Sequence, residues 1–371
     1  MLKALSLLTA GLSLPACTKR VRPYILNPAS GAKSLPRHFT PVNVSRERII
    51  RRVVGLRPFR PSGFLVRAES LGDKLLVHNY GHGGGGVTLS WGTAHLAADL
   101  VSESGKSGAV AVIGCGVIGL ATARTLQRRG FDVTIYSKAM PPETTSNIAG
   151  ASWSPSMVIQ ADKRTAAWVA QFERAARIAH RAFQLLIGDE YGVHWRQQYF
   201  LGDAPVGTGW DHELLKDLFP ESRALQPNEH PFAAKFVVAD NMMFIEPSVY
   251  LNTLLRDFYV AGGHVRRVAY AEPRQLTGLS EPIVMNCTGL GSRELFGDRE
   301  LTPVKGQLTA LIPQPEVDYA MVSPDGLYMF PRRDGIMLGG TFERGVETME
   351  PDLEAEQRIL SGHQAIFNAM R

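Results

Sequence analysis

Residues Ala109–Arg124 read AVAVIGCGVIGLATAR, and the reading of this stretch decides the fold. Small and β-branched apolar residues run into Gly114-x-Gly116-x-x-Gly119, and a helical pattern follows at once. Strand, turn and helix in this order place the pyrophosphate of a dinucleotide on a helix N-terminus. Gly114 allows the tight turn, Gly116 lets phosphate approach the backbone, and Gly119 lets the helix pack closely on the strand. These glycines, with Val117 and Ile118 between them, are the first candidate cofactor-binding residues. Such a strand usually opens a chain; here more than a hundred residues precede it.

Downstream, Asp132–Tyr136 reads as the second strand and ends in Ser137-Lys138, without the carboxylate expected to hold a ribose. Polar Thr144-Thr145-Ser146 and the small-residue turn Gly150-Ala151-Ser152 follow. Residues 163–188 and Pro247–Ala261 carry helical periodicity, and strand and loop signals run through Tyr199–Ala239. His264–Arg267 and Pro282–Asn286 read as further strands. Gln307–Ile312, Leu327–Pro331 and Ile336–Phe342 read as antiparallel strands of a second sheet, before a helix from about Leu353.

Upstream, Ser102–Gly108 behaves as a flexible linker, with a short helix over Thr93–Val101 before it. His78–Gly92 holds too many glycines for a core strand, so its backbone must lie against something flat or bulky. Phe64–Ala68 and Lys74–His78 read as strands, Arg46–Val54 as a short helix, and residues 18–45 as a tether. The fold class is α/β: a Rossmann-type domain (69–165 and 240–302) plus an α+β substrate domain with an antiparallel sheet (46–68, 166–239 and 303–371).

The chain has 371 residues, of which 44% are hydrophobic, enough for a large core in two lobes. Its net charge of +5 comes without aromatic platforms or a recognition motif, which excludes nucleic acid as the partner. Met1–Cys17 pairs Lys3 with an apolar run too short to span a bilayer and ends in Leu14-Pro15-Ala16-Cys17. It reads as a lipoprotein-type signal with Cys17 as the anchor, and an ordinary secretory signal is the alternative; the protein is expected to be exported, membrane-anchored or periplasmic. Three cysteines make no disulfide framework. His78 and His82 have a helical metal spacing, but the intervening glycines oppose a helix, so no metal is expected.

These blocks resemble the D-amino-acid oxidase family of flavoenzymes, in an altered order. GLRPFRP (55–61), HNYGHGG (78–84) and VTLSWG (87–92) resemble the family's C-terminal third. VIGCGVIGLATA, TTSNIAGASWSP, MNCTG, KGQL and GLYMFP resemble its first two thirds. Each block occurs once, as a circular permutation requires, with the old termini joined through the Ser/Gly linker.

The resemblance implies FAD as cofactor. It puts Lys138, Thr144, Thr145 and Ser146 around the ADP half, Tyr270 by the adenine, and Gly150, Ala151 and Ser152 near the flavin. Thr288 belongs to the same cofactor set, and Gly83, Gly84, Val87 and Thr88 close over the flavin pyrimidine. Arg57 would grip the substrate carboxylate through two parallel hydrogen bonds, Tyr328 would donate another, and the Gly84 carbonyl would receive the amine. The implied reaction is hydride transfer from a D-amino acid to flavin N5, giving a 2-oxo acid, ammonia and hydrogen peroxide. The competing readings are a related amine or glycine oxidase, a membrane-linked dehydrogenase, and an anchored binding protein without activity. Two departures stand out: a pocket tyrosine of animal members is replaced near Pro324-Asp325, and the loop Val322–Leu327 is short. The expectation is an open pocket without a lid that admits bulky side chains. No extra arginine stands at the lid position, which disfavours a preference for acidic substrates, although Arg332, Arg333 and Arg344 keep the question open.

Overall fold

A computed structural model describes residues 39–150, 152–204 and 209–371. The segment read as a signal with Cys17, residues 18–38 of the expected tether, and Ala151 lie outside the described residues. Among those described, fifteen strands form two sheets.

The smaller sheet has the order β2-β3-β10-β4-β5-β9. It joins β2 (Leu65–Leu71), β3 (Lys74–Tyr80), β4 (Val110–Ile113), β5 (Val133–Ser137), β9 (His264–Arg267) and β10 (Ile283–Asn286). All neighbours are parallel except β2, which pairs antiparallel with β3 at the edge. Strands covered on both faces read as continuous apolar runs, and β4 and β10 are buried at every position. Helices α1 (Gly86–Glu103), α2 (Val117–Arg128) and α3 (Ala166–Gln184) share one core with this sheet, in which Leu89, Trp91, Leu120, Leu126, Phe172 and Phe183 are buried. Thr165 caps α3 by accepting the Trp168 N–H at 3.2 Å. The α1–α3 crossing is close because Gly92 has no side chain: a Cβ there would overlap the Ala175 carbonyl.

The larger sheet has the order β1-β11-β14-β13-β12-β6-β8-β7, with β15 also pairing β11. Its strands are β1 (Ile49–Phe59), β6 (Val193–Gly202), β7 (Arg223–Ala224), β8 (Phe236–Ile245), β11 (Thr302–Leu311), β12 (Ala320–Val322), β13 (Tyr328–Arg332), β14 (Gly335–Gly339) and β15 (Glu343–Arg344). Only β12–β6 is a parallel pair. The helix Leu353–Asn368, capped by the Asp352 side chain, packs Ile359, Leu360 and Phe367 into the core of this sheet. Glu356 on that helix is buried and paired with Arg52 of β1.

Three expectations need correction. The segment read as a helix over Arg46–Val54 is a short turn at Arg46–Arg48 followed by β1. Pairing with β11 from Ile49↔Leu311 to Phe59↔Thr302 overrides local helix propensity there. The helix expected at Thr93 starts at Gly86, because the glycine run makes a single turn at Gly83–Gly85 and then enters α1 directly. The tether ends early: Val42 and Val44 are buried, and the Phe39 ring meets Tyr199, Phe232 and Tyr319 edge-on at 5.2–5.7 Å.

The boundary drawn at residue 68 falls inside β2, and α3, expected with the substrate lobe, shares the core of the parallel sheet. Phe39–Arg371 is one compact unit. No helix among the described residues is long and apolar enough to cross a membrane.

Candidate active site

The carboxyl ends of β4, β5 and β10 open into a cavity of about 590 Å³ whose far wall is built by β1, β11 and β13. Ligands of open parallel sheets bind at this end, where helix N-termini and loop amides point. Gly114 sits at φ +113°, and a Cβ there would lie 2.5 Å from the Cys287 carbonyl oxygen, so only glycine fits this turn. At Gly119 a Cβ would overlap the Gly114 carbonyl oxygen. That glycine therefore packs behind the wall, while Gly114, Gly116, Val117 and Ile118 line it.

Around the turn the wall is mostly backbone. The Val117 N–H is held by the Ser146 hydroxyl at 3.0 Å, tying the 144–150 loop to the start of α2. The Cys115 N–H donates to Ser137 Oγ at 3.1 Å, and the Thr144 hydroxyl donates to Asn147 Oδ1 at 2.8 Å. Lys138, Thr144, Thr145, Ser146, Gly150, Tyr270 and Thr288 all line the cavity. Besides Gly119, two expected residues do not. Thr88, in the first turn of α1, is buried and its hydroxyl donates to the Ser154 carbonyl at 3.1 Å, while Ser152 bridges to Phe244. Gly83, Gly84 and Val87 line the cavity beside Arg57, with the Gly84 N–H donating to the Met157 carbonyl at 3.2 Å.

On the opposite wall, Arg57 stands near the end of β1, and its Nη1 donates to the Thr341 carbonyl at 3.5 Å. The guanidinium lies across Gly306, 5.9 Å from the Phe342 ring centroid. Tyr328 packs flat on Gly339 and Gly340, where a Cβ would overlap its ring. Burial pushes the Tyr328 phenol above its ordinary pKa, and the neighbouring Arg57 guanidinium pulls against that shift. The phenol therefore keeps its proton and is a donor. Arg60, three residues after Arg57, instead pairs with Asp298 at 2.9 Å and with Glu300.

The other three arginines are engaged elsewhere. Arg332 pairs with Asp334, Arg333 with Asp189 and Glu246, and Arg344 stacks 4.7 Å from the Phe59 ring centroid. Ser323–Leu327 is a tight turn closed by Ser323 N–H to Leu327 O at 2.8 Å, so no long loop leaves β12 over the cavity.

His82 lines the cavity, but burial pushes its pKa down to about 3 and its Nε2 meets Thr93 Oγ1 at 2.9 Å. At neutral pH it is an uncharged packing residue. His78 is likewise lowered by burial, and its ring lies between Glu69 and Asn286. No cluster of three metal-ligating side chains exists among the described residues.

Sequence reasoning missed several wall residues. Asn79 is fully buried, donates to Thr122 at 3.1 Å, and keeps a buried Oδ1 with no partner among the described residues. Its place inside the HNYGHGG run was the available signal. Glu143 supplies a carboxylate six residues beyond β5 and is paired with Arg267 at 2.6 Å; Ile148, Leu308 and Met349 gave no local signal. The donor set suits FAD: a glycine turn opening a helix N-terminus for its pyrophosphate, and an unsatisfied buried acceptor at Asn79 for a ligand N–H.

The comparisons with known proteins agree with this geometry. The family model described as FAD dependent oxidoreductase (DAO) matches residues 30–100 and 109–371. D-amino-acid oxidase of Streptomyces coelicolor is 32% identical over 270 residues, covering 69% of this chain and 76% of that protein. D-amino acid oxidase of Dugesia ryukyuensis is 28% identical over 273 residues, covering 70% and 78%. Among solved structures, glycine oxidase from Bacillus cereus superposes with a TM-score of 0.51 at 17% identity, covering 71% of this chain and 79% of that one, which is a likeness of fold.

Proposed function

The chain belongs to the DAO family of FAD-dependent oxidoreductases, and from that premise we propose that it oxidatively deaminates D-amino acids. It is an FAD-dependent amino-acid oxidoreductase. The finer reading is that a D-amino acid, oxygen and water become a 2-oxo acid, ammonia and hydrogen peroxide. One observation carries it: Arg57 and Tyr328 meet across the same cavity as the Gly83–Gly84 crossing and the Gly114 turn.

Bound FAD supplies the two-electron acceptor. The chain's own residues supply position. The Arg57 fork takes both oxygens of a carboxylate, and the protonated Tyr328 phenol adds a donor, which fixes the Cα of the substrate in one orientation. With the amine directed to the Gly84 carbonyl, only one enantiomer presents its α-hydrogen to the cofactor side. His82 is a poor proton acceptor for the reacting carbon, because burial lowers its pKa to about 3. Orientation of the neutral amine, rather than a side-chain base, is therefore the chain's contribution.

In this reading Lys138, Thr144, Thr145 and Ser146, which line the cavity, would hold the ADP half, Tyr270 the adenine and Gly150 the flavin. The strand–glycine–helix block 65–103 precedes the fingerprint strand, and the family match breaks at residues 101–108, which supports a circular permutation joined there. On sequence grounds alone, Met1–Cys17 supports export and lipid anchoring; Cys17→Ser is expected to move the protein out of the membrane fraction.

The deciding experiment is anaerobic: D-alanine bleaches the bound flavin and L-alanine does not, and readmitted oxygen yields peroxide. Equal bleaching by both enantiomers would sink the stereochemical reading, and bleaching without peroxide would indicate a dehydrogenase.

A further inference from the structure

Tyr328, Phe330 and Arg332 occupy alternate positions on β13 and so share one face of the strand. The first reaches Arg57. The second stacks on the first at 5.0 Å between centroids and presses on the loop of the other wall: a Cβ on Gly150 would lie 2.9 Å from its ring. The third is a buried arginine, 7% exposed, whose Nη1 donates to the Ala149 carbonyl at 3.2 Å. Its Nε and Nη2 form a fork on Asp334 at 2.8 and 2.7 Å, and Asp334 also takes Arg51 at 2.9 Å. All three guanidinium nitrogens are thus engaged, and Arg332 is absent from the cavity wall. It is not a receptor for an acidic substrate.

The loop it touches runs along the cavity from Thr144 to Gly150. One end is fixed to the nucleotide turn, where Ser146 holds the Val117 N–H. Arg332 holds the other end to the strand that carries Tyr328. We propose that Arg332, oriented by Asp334, is a positioning residue that fixes the Ala149–Gly150 loop against β13 and so sets the spacing between FAD and the Arg57–Tyr328 clamp. This rests on the reading that Gly150 borders the flavin. A planar guanidinium fork suits this role, because two nitrogens orient the group on Asp334 and the third remains for a carbonyl that a lysine could not serve at the same time.

The test uses the flavin-loaded protein with Arg332→Met, Arg332→Lys and Asp334→Asn. Five quantities are read: FAD dissociation constant, visible flavin spectrum, thermal midpoint, kcat and KM for D-alanine. The expected result for Arg332→Met is FAD affinity weakened by about tenfold or more, the scale of one lost charged hydrogen bond, with a displaced flavin band. KM for D-alanine should stay within about twofold, because Arg57 and Tyr328 are untouched, while kcat falls. Arg332→Lys should recover part of the affinity. A lowered thermal midpoint with wild-type FAD affinity and spectrum would overturn the proposal, since a purely structural pair predicts that pattern. If Arg332→Met does not fold, Arg332→Lys and Asp334→Asn decide on the same readouts. Wild-type flavin that D-alanine fails to reduce would sink the functional reading, while the FAD affinities would still judge the clamp.

Discussion

The two sheets build their halves of one cavity from different material. The parallel sheet offers backbone: the Gly114 turn, the amides at the start of α2, and the Gly83–Gly84 crossing. The antiparallel sheet offers side chains: Arg57 from β1, Leu308 from β11 and Tyr328 from β13. A backbone site needs positions without a Cβ, and that need is written as glycine in one short run. A side-chain site needs only that strands from far apart in the chain be neighbours. β1 and β11 are such strands, with Arg57 opposite Val304.

The division between the two halves breaks most cleanly at Arg57. Arg57→Leu should lower kcat/KM for D-alanine about a thousandfold, on the order of 4 kcal/mol for a lost charge-paired contact, with FAD stoichiometry unchanged. Loss of flavin in that variant would mean the two halves are not separable. The converse change is Gly119→Val, which drives a branched side chain into the Gly114 carbonyl. It should cost about 3 kcal/mol or more in urea unfolding and release FAD. Retention of both stability and flavin would show that the close packing of α2 on β4 is not needed.

The smallest effect is a pH response in the parallel half. His82 has a folded pKa of about 3 against an ordinary 6.5, so as pH falls below 6.5 the unfolded chain takes up the proton first. Stability present above that value is lost on acidification, by about 2 kcal/mol at pH 5 from this group alone. The urea midpoint of the wild type should therefore drop more between pH 7 and pH 5 than that of His82→Asn. Equal drops would assign the acid sensitivity to other groups, such as His78.

Much of the fold was legible where the signal is local. The glycine turn, the helix Pro247–Val260, the strand His264–Arg267 and the helix from Leu353 all follow from periodicity and caps. Arg46–Val54 misled because its apolar and basic residues suit a helix in isolation, and only β11 makes them a strand. The start of α1 misled because glycines argue against a helix, yet burial against α2 and α3 outweighs their propensity.

What the sequence determined by itself is therefore the nucleotide-binding turn and its family, because the constraint there is steric and confined to adjacent residues. Tertiary structure alone decided which polar groups face the cavity. GLRPFRP presents Arg57 and Arg60 in like settings, yet Arg60 is taken by Asp298 and Glu300 while Arg57 meets Tyr328. Val87 and Thr88 are adjacent, yet one lines the wall and the other holds Ser154. A side chain's partners come from strands and loops remote in sequence, and their order in the sheet is set by burial of the whole core.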